Sequence, residues 1–210
     1  IDEARKIIPI NSIDCGKYSF FGEEADETVS LFFSLLSVSS GRLETGVVCI
    51  PLLQATAPKT LVEKKQAYDR LRSLAVAAQP LGLRIALETE MPVIELIEYV
   101  DSFNLPNVGV CYDIGNCTAY GFDCPRGISL LGPRIFEVHL KDRTLTEKSV
   151  MLGTGDADFD ACFKALREIG YHGAYTLQAW RGEDYTADAA SQLDFAKKKL
   201  KQSYEDPSKK

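Results

Sequence analysis

Short apolar runs alternate with longer amphipathic segments along most of the chain, from about residue 45 onward. The apolar runs have the length and the β-branched content of buried strands, whereas the segments between them carry apolar residues at helical spacing. This alternation is typical of βα units arranged around a parallel sheet. It predicts six strands, at residues 6–11, 45–51, 83–88, 108–113, 135–141 and 174–178.

Two of the amphipathic segments, within residues 61–82 and 158–173, are predicted to be crossover helices. Each has a glycine where the helix should stop, Gly82 and Gly170, because glycine readily adopts the left-handed conformation that ends many helices. Asp158 stands at the expected N-cap of the second helix, where its carboxylate can accept backbone N–H groups of the first turn.

The predicted strands are too few for a complete barrel. A (β/α)8 barrel has eight strands and takes about 250 residues, and this chain has 210. Because we find no linker between domains, we expect residues 1–203 to form one α/β domain, a partial (β/α)8 TIM barrel without its first two βα units. The first and last predicted strands should then be unclosed neighbours of a gap, and residues 204–210 should be a disordered polar tail.

Composition narrows the range of functions. A net charge of -6 and the lack of a basic run before the tail disfavour nucleic acid as a partner. No apolar stretch approaches the roughly 18 residues of a membrane span. Six cysteines without a C-x-x-C pair favour a reducing cytoplasm and no disulfides. We therefore expect a small-molecule partner, and the sequence leaves a homo-oligomer open.

Four successive predicted strands end at or near a side chain that can bind metal. These residues are Glu88, Asp113, His139 and Gln178. In a parallel barrel the carboxyl ends of the strands gather on one face, where barrel active sites lie. Alternation along each strand directs these side chains to the barrel interior. The spacing therefore predicts that the four groups converge on one site.

Several local sequences then become recognisable: IALE, YDIGN, VHLKD, GTGDADFDACF and GYHGAYTLQAW. In order and spacing they resemble the second half of the sugar-phosphate isomerase and epimerase family with a xylose-isomerase-like barrel, with the closest likeness to L-ribulose- and L-xylulose-5-phosphate 3-epimerases. The resemblance runs from about residue 83 to 200, and the first 80 residues match only in outline.

The resemblance implies a divalent metal bound by Glu88, Asp113, His139 and a fourth carboxylate. This chain has Gln178 at that fourth position, and an amide oxygen can coordinate a hard cation but adds no negative charge. Three oxygen donors and one imidazole suit Mn²⁺ or Mg²⁺, with Co²⁺ and Zn²⁺ also possible.

The implied chemistry is proton removal next to a ketose carbonyl, through an enediolate that the metal stabilises. By resemblance the proton carriers are Glu88 and the residue at 178, and Gln178 cannot carry a proton at ordinary pH. Glu90, two residues beyond Glu88, and Glu183 are possible substitutes. The residues expected to contact substrate are Lys141, Asp142, Trp180 and Glu90.

Three functions stay open at this point. The first is a metal-dependent isomerase or epimerase of a ketose or ketose phosphate. The second is another enzyme on the same barrel, similar to hydroxypyruvate isomerase or inosose dehydratase. The third is a sugar-binding protein that lost its chemistry with the carboxylate at position 178. An apurinic-site endonuclease, which shares the barrel, is disfavoured because its zinc cluster needs many histidines and this chain has two.

Overall fold

The computed structural model describes residues 9–43, 45–146, 148–178 and 180–205. The chain divides into two compact units, Ile1–Cys111 and Tyr112–Lys210. Among the described residues, no helix combines the length and the apolar composition that a membrane crossing requires.

The first unit is built on parallel strands whose pairing follows the order of the chain. Parallel register joins β1 to β2, β2 to β3, and β3 to the start of β4. The strands are β1 (Ser12–Asp14), β2 (Val47–Leu52), β3 (Arg84–Thr89) and β4 (Val108–Asp113), and the helices are α1 (Ala25–Val38), α2 (Leu61–Ala78) and α3 (Val93–Ser102).

The second unit begins at the end of β4 and contains one further parallel strand pair, β5 with β8. A short antiparallel pair, β6 with β7, lies between them in sequence. The strands are β5 (Ile135–Leu140), β6 (Asp142–Arg143), β7 (Ser149–Val150) and β8 (Ala174–Leu177), and the helices are α4 (Ile114–Ala119), α5 (Cys124–Leu131), α6 (Phe159–Glu168) and α7 (Tyr185–Tyr204).

The strands are buried, and this explains why apolar runs in the sequence predicted their positions. All six residues of β2 and of β4 are buried, as expected for parallel strands covered on both faces. Five predicted strands agree with β2, β3, β4, β5 and β8 to within two residues at each end.

The first predicted strand, residues 6–11, is wrong in its position. Residues 9–11 are not in a strand, residues 6–8 lie outside the described residues, and β1 begins at Ser12. The pairing with the next strand starts only where the Gly46 N–H donates to the Asn11 carbonyl at 3.1 Å. Pro9 has no N–H to add to a ladder before that point.

The predicted helix boundaries are confirmed. Asp158 caps α6, its carboxylate accepting the Ala161 N–H at 2.9 Å. Gly82 and Gly170 take the left-handed conformation, with φ of 71° and 69°. Helix α7 ends at Tyr204, the first residue of the predicted tail, and residues 206–210 lie outside the described residues.

Candidate functional site

Asp113 is both the last residue of β4 and the N-cap of α4. Its Oδ1 accepts the Asn116 N–H at 2.7 Å, which satisfies one of the free donors at the helix start. The side chain is buried. The turn from strand to helix therefore fixes one oxygen of this carboxylate and leaves the other for a different partner.

The second oxygen of Asp113 has no hydrogen bond to any described residue. Lys141 Nζ lies 3.9 Å from this Oδ2, beyond hydrogen-bond distance. Burial raises the pKa of the Asp113 carboxyl, while the charge of Lys141 and the Asn116 N–H act to lower it. A buried carboxylate oxygen without a donor is suited to bind a cation.

Gly115 and Asn116, the next residues of the DIGN segment, lie against residues 141–143. A Cβ added to Gly115 would lie 2.7 Å from the Lys141 carbonyl oxygen, so only glycine fits here. The Asn116 side-chain oxygen accepts an N–H from Arg143 Nη1 at 2.9 Å. Asp113 is thus held in place beside the segment that carries Lys141.

Lys141 connects two of the predicted site residues. Its Nζ donates to Gln178 Oε1 at 3.1 Å and lies near Asp113. The Gln178 N–H donates to the Leu140 carbonyl at 3.1 Å, which continues the pairing of β5 and β8 by one residue. The second unit therefore brings Asp113, Lys141 and Gln178 together at the strand ends.

His139 lies in β5, two residues after Glu137. Glu137 is a buried carboxylate that the sequence analysis did not select as a site residue. His139 is 2% exposed and Glu137 is 1% exposed, and His139 Nε2 lies 3.8 Å from Glu137 Oε1. Thr176, which pairs with His139 across the strands, donates to the same Glu137 oxygen at 2.5 Å. The spacing of two residues between Glu137 and His139 was the signal that could have identified Glu137.

Asp142 was expected to contact substrate, but its carboxylate is occupied by backbone groups. Oδ2 accepts the N–H groups of Gly153 at 2.8 Å and Gly155 at 2.9 Å, and Oδ1 accepts that of Ala157 at 3.3 Å. A Cβ on Gly155 would lie 2.3 Å from Asp142 Oδ1. Asp142 thus holds the glycine loop and has no oxygen left over for a substrate contact.

Trp180 lies on the wall of a cavity of about 650 Å³ that also includes Gln178. Its side chain is 38% exposed, and its carbonyl accepts an N–H from the buried Gln192 side chain at 3.0 Å. Arg181 and Tyr185 line the same cavity. Sequence reasoning missed these two residues because neither falls in a strand-end pattern.

In the first unit, the two predicted carboxylates have different surroundings. Glu88, the penultimate residue of β3, is 2% exposed. Glu90 follows the strand, and its carboxylate accepts the backbone N–H of Gln54, which has a φ of 53°. Glu90 therefore holds the turn after β2, whereas Glu88 stays a candidate for chemistry. Glu183, the other possible substitute, is exposed in the second unit.

Solved structures with the same fold cover nearly all of the chain. A xylose isomerase domain protein from Planctomyces limnophilus matches with a TM-score of 0.84 and 19% identity, over 97% of this chain and 83% of that one. The IOLI protein with a bound zinc atom has a TM-score of 0.74 and 23% identity, over 96% and 80%. A protein of this barrel type from Mycobacterium smegmatis, in complex with magnesium, has a TM-score of 0.77 and 16% identity, over 95% and 76%.

Curated relatives are named isomerases and epimerases. Inosose isomerase from Bacillus subtilis (strain 168) is 32% identical over 168 residues, which are 72% of this chain and 60% of the relative. L-ribulose-5-phosphate 3-epimerase UlaE from Escherichia coli O1:K1 / APEC is 29% identical over 145 residues, 65% of this chain and 51% of that protein. The chain thus spans between half and two thirds of the length of these two relatives.

The family model described as "Xylose isomerase-like TIM barrel" matches residues 42–199, well over half of the chain. The fold class and the family resemblance predicted from the strand-end motifs are both confirmed by this match and by the named relatives. The chain belongs to the xylose isomerase-like TIM barrel family.

Proposed function

We propose that the protein is a metal-dependent isomerase or epimerase that acts on a ketose or ketose phosphate through an enediolate. The observation that carries the proposal is the buried Asp113 carboxylate at the end of β4, with one oxygen fixed by α4 and the other beside Lys141. Family membership and the names of the curated relatives support an isomerase or epimerase reaction.

The proposed ligands of a divalent cation are Glu88, Asp113, His139 and the side-chain oxygen of Gln178. The Asp113 oxygen that accepts no hydrogen bond fits this role, and oxygen donors with one imidazole suit Mn²⁺ or Mg²⁺ and also allow Co²⁺ or Zn²⁺. Neighbours with bound zinc and with magnesium support a divalent ion in general. When bound, such an ion polarises the substrate carbonyl and stabilises the charge of the enediolate.

Glu88 is the carboxylate that we propose to take the proton next to the carbonyl. One base can move a proton along a single face of an enediolate, whereas inversion at carbon needs a second proton carrier on the opposite face. Gln178 cannot be that carrier. The residues therefore favour isomerisation along one face over 3-epimerisation.

Lys141 and Trp180 are proposed to contact the substrate. The Lys141 ammonium carries three donors, of which Gln178 takes one at 3.1 Å, so a sugar or phosphate oxygen can accept another. The half-exposed ring of Trp180 offers an apolar wall to the face of a sugar.

A second candidate is a protein that binds a sugar without turning it over. The hydrogen bond from Lys141 to Gln178 favours this candidate, because it occupies the amide oxygen that would otherwise face a cation. Both candidates predict sugar binding, and they differ in proton exchange.

Proton exchange into candidate ketoses in deuterated water, with Mn²⁺ or Mg²⁺ added, tests the proposed function. Wild type should incorporate solvent deuterium next to the carbonyl, and Glu88→Gln should abolish this exchange while sugar binding persists. Glu98→Gln, a change at an exposed position on α3, is the matched control and should exchange as wild type does. A wild type that binds ketose but exchanges no proton with any metal leaves only the sugar-binding candidate.

A further inference from the structure

The end of β1 carries a carboxylate that was not among the predicted site residues. Asp14 is the last residue of β1, whereas the strand predicted from the sequence would have ended at residue 11. In a parallel barrel the carboxyl ends of the strands form the face where active sites lie. The observed position of β1 therefore adds Asp14 to the strand-end residues of the first unit.

The pairing of the parallel strands puts Asp14 on the same face of the sheet as Glu88. Asp14 pairs with Cys49 of β2, and Cys49 pairs with Ala86 of β3. Glu88 follows Ala86 by two residues, so the alternation of side chains directs Asp14 and Glu88 to one side. The Cys15 N–H donates to the Cys49 carbonyl at 3.1 Å, which extends the pairing beyond Asp14 and fixes its backbone.

The two carboxylates also lie close to each other. One carboxylate oxygen of Asp14 and one of Glu88 are within 4.8 Å. Glu88 has other contacts, but its Oε2 is buried and accepts no hydrogen bond from the described residues. Two carboxylates at such a distance repel each other unless a proton or a cation lies between them.

The two carboxylates differ in their access to solvent. Asp14 is exposed, whereas Glu88 is 2% exposed. A hydrated cation can therefore reach this pair through Asp14 and exchange some of its water for carboxylate oxygens.

The cation ligands of the proposed function include only two carboxylates. The family pattern implies a further carboxylate at position 178, but Gln178 is neutral, and its side-chain oxygen accepts a hydrogen bond from Lys141 at 3.1 Å. A carboxylate supplied from another strand end would restore the missing negative charge.

We propose that Asp14 is a further ligand of the divalent cation and supplies the negative charge that Gln178 does not. This inference rests on the proposed function, because it adds Asp14 to the cation ligands named there. The cation offsets the repulsion between Asp14 and Glu88, and carboxylate oxygens are ligands that Mn²⁺ and Mg²⁺ prefer.

Isothermal titration with Mn²⁺ tests the role of Asp14. Asp14→Asn should weaken Mn²⁺ binding roughly tenfold or more, since even the loss of a residue that only orients a metal ligand costs about that much. Asp69→Asn is the matched control, because it removes the same charge from an exposed residue of α2 that pairs with Lys65, and it should bind Mn²⁺ as the wild type does.

The titrations separate this inference from the proposed function. Equal Mn²⁺ affinities for wild type and Asp14→Asn would overturn the role of Asp14 and leave the proposed function standing. A wild type that binds no Mn²⁺ or Mg²⁺ would overturn both.

The hydration of bound Mn²⁺ distinguishes a ligand from a charge that acts at a distance. Loss of a ligand in Asp14→Ala should let an additional water molecule bind the ion, seen as faster water-proton relaxation per bound Mn²⁺. Weaker binding with unchanged relaxation would overturn direct coordination. In the wild type, a small amount of Mn²⁺ should broaden the amide signals of Asp14 and Glu88 together. A sharp Asp14 signal beside a broadened Glu88 signal would overturn the inference even if a variant fails to fold.

Discussion

Asp113 and Gln178 show how a carboxylate and an amide give two strand ends different chemistry. Asp113 divides its two oxygens between the cap of α4 and the neighbourhood of Lys141. Gln178 presents an amide oxygen to the same lysine at 3.1 Å. A carboxylate at that place would add a negative charge and a proton acceptor, whereas the amide adds neither.

At the residue scale, Gln178→Glu is expected to tighten Mn²⁺ binding roughly tenfold, about 1.4 kcal/mol, because the new carboxylate adds charge to the ligand set. Isothermal titration of both proteins with Mn²⁺ measures the change. Exchange assays on the same variant should show 3-epimerisation rising, since a second proton carrier is restored. Gln202→Glu, at an exposed position of α7, adds the same charge elsewhere and should change neither the Mn²⁺ affinity nor the rate of 3-epimerisation. Equal Mn²⁺ affinities for wild type and Gln178→Glu would exclude Gln178 as a ligand.

Among the elements, the loop after β7 is held by the buried carboxylate of Asp142. Asp142, in the two-residue strand β6, accepts three backbone N–H groups of that loop. Gly153 in the same loop has a φ of 84°, and a Cβ on it would lie 2.4 Å from the Phe195 ring. The loop therefore requires both the glycine and the carboxylate.

Asp142→Asn should destabilise the second unit by about 1–3 kcal/mol, because the amide offers one acceptor oxygen in place of two and faces N–H donors with its own N–H₂ group. Urea unfolding followed by circular dichroism measures the loss, and hydrogen exchange at Gly153 and Gly155 should become faster. Asp160→Asn serves as the control, since its 68% exposed carboxylate pairs with Lys199 at the surface and should cost under about 1 kcal/mol. Unchanged protection in Asp142→Asn would contradict the structural role.

On the scale of the whole molecule, the family match extends over residues 42–199 and includes parts of both compact units. The chain spans 60% and 51% of the length of the two curated relatives. The activity of a full-length relative is therefore proposed for this protein and not assigned to it. A net charge of -6 is compatible with a cation cofactor and disfavours polyanions.

Metal binding should stabilise the folded chain by mass action. At a free Mn²⁺ concentration one hundred times the dissociation constant, the expected gain is about 2.7 kcal/mol, seen as a higher midpoint of thermal unfolding that a chelator reverses. Asp113→Asn should remove most of this gain, because the substitution removes the negative charge of a proposed metal ligand. Equal midpoints for wild type with and without saturating metal would count against the metal site.

The local pattern of residues determined most of the elements of this protein. Buried parallel strands are continuous apolar runs, so β2, β3, β4, β5 and β8 could be placed within two residues at each end. Helix stops at Gly82 and Gly170 follow from glycine's freedom at positive φ. Strand-end residues such as His139 were identifiable because period and spacing are local properties of the chain.

Only the tertiary structure decided which side chains meet. Asp142 is committed to a loop more than ten residues away, and Lys141 reaches Gln178 across 37 residues. The start of β1 was misplaced because a three-residue strand is defined by its partner rather than by its own pattern. Such contacts depend on the path of the backbone between residues that are distant in sequence. Hydrophobic periodicity indicates which residues are buried, but it carries no information about which buried polar atoms face each other.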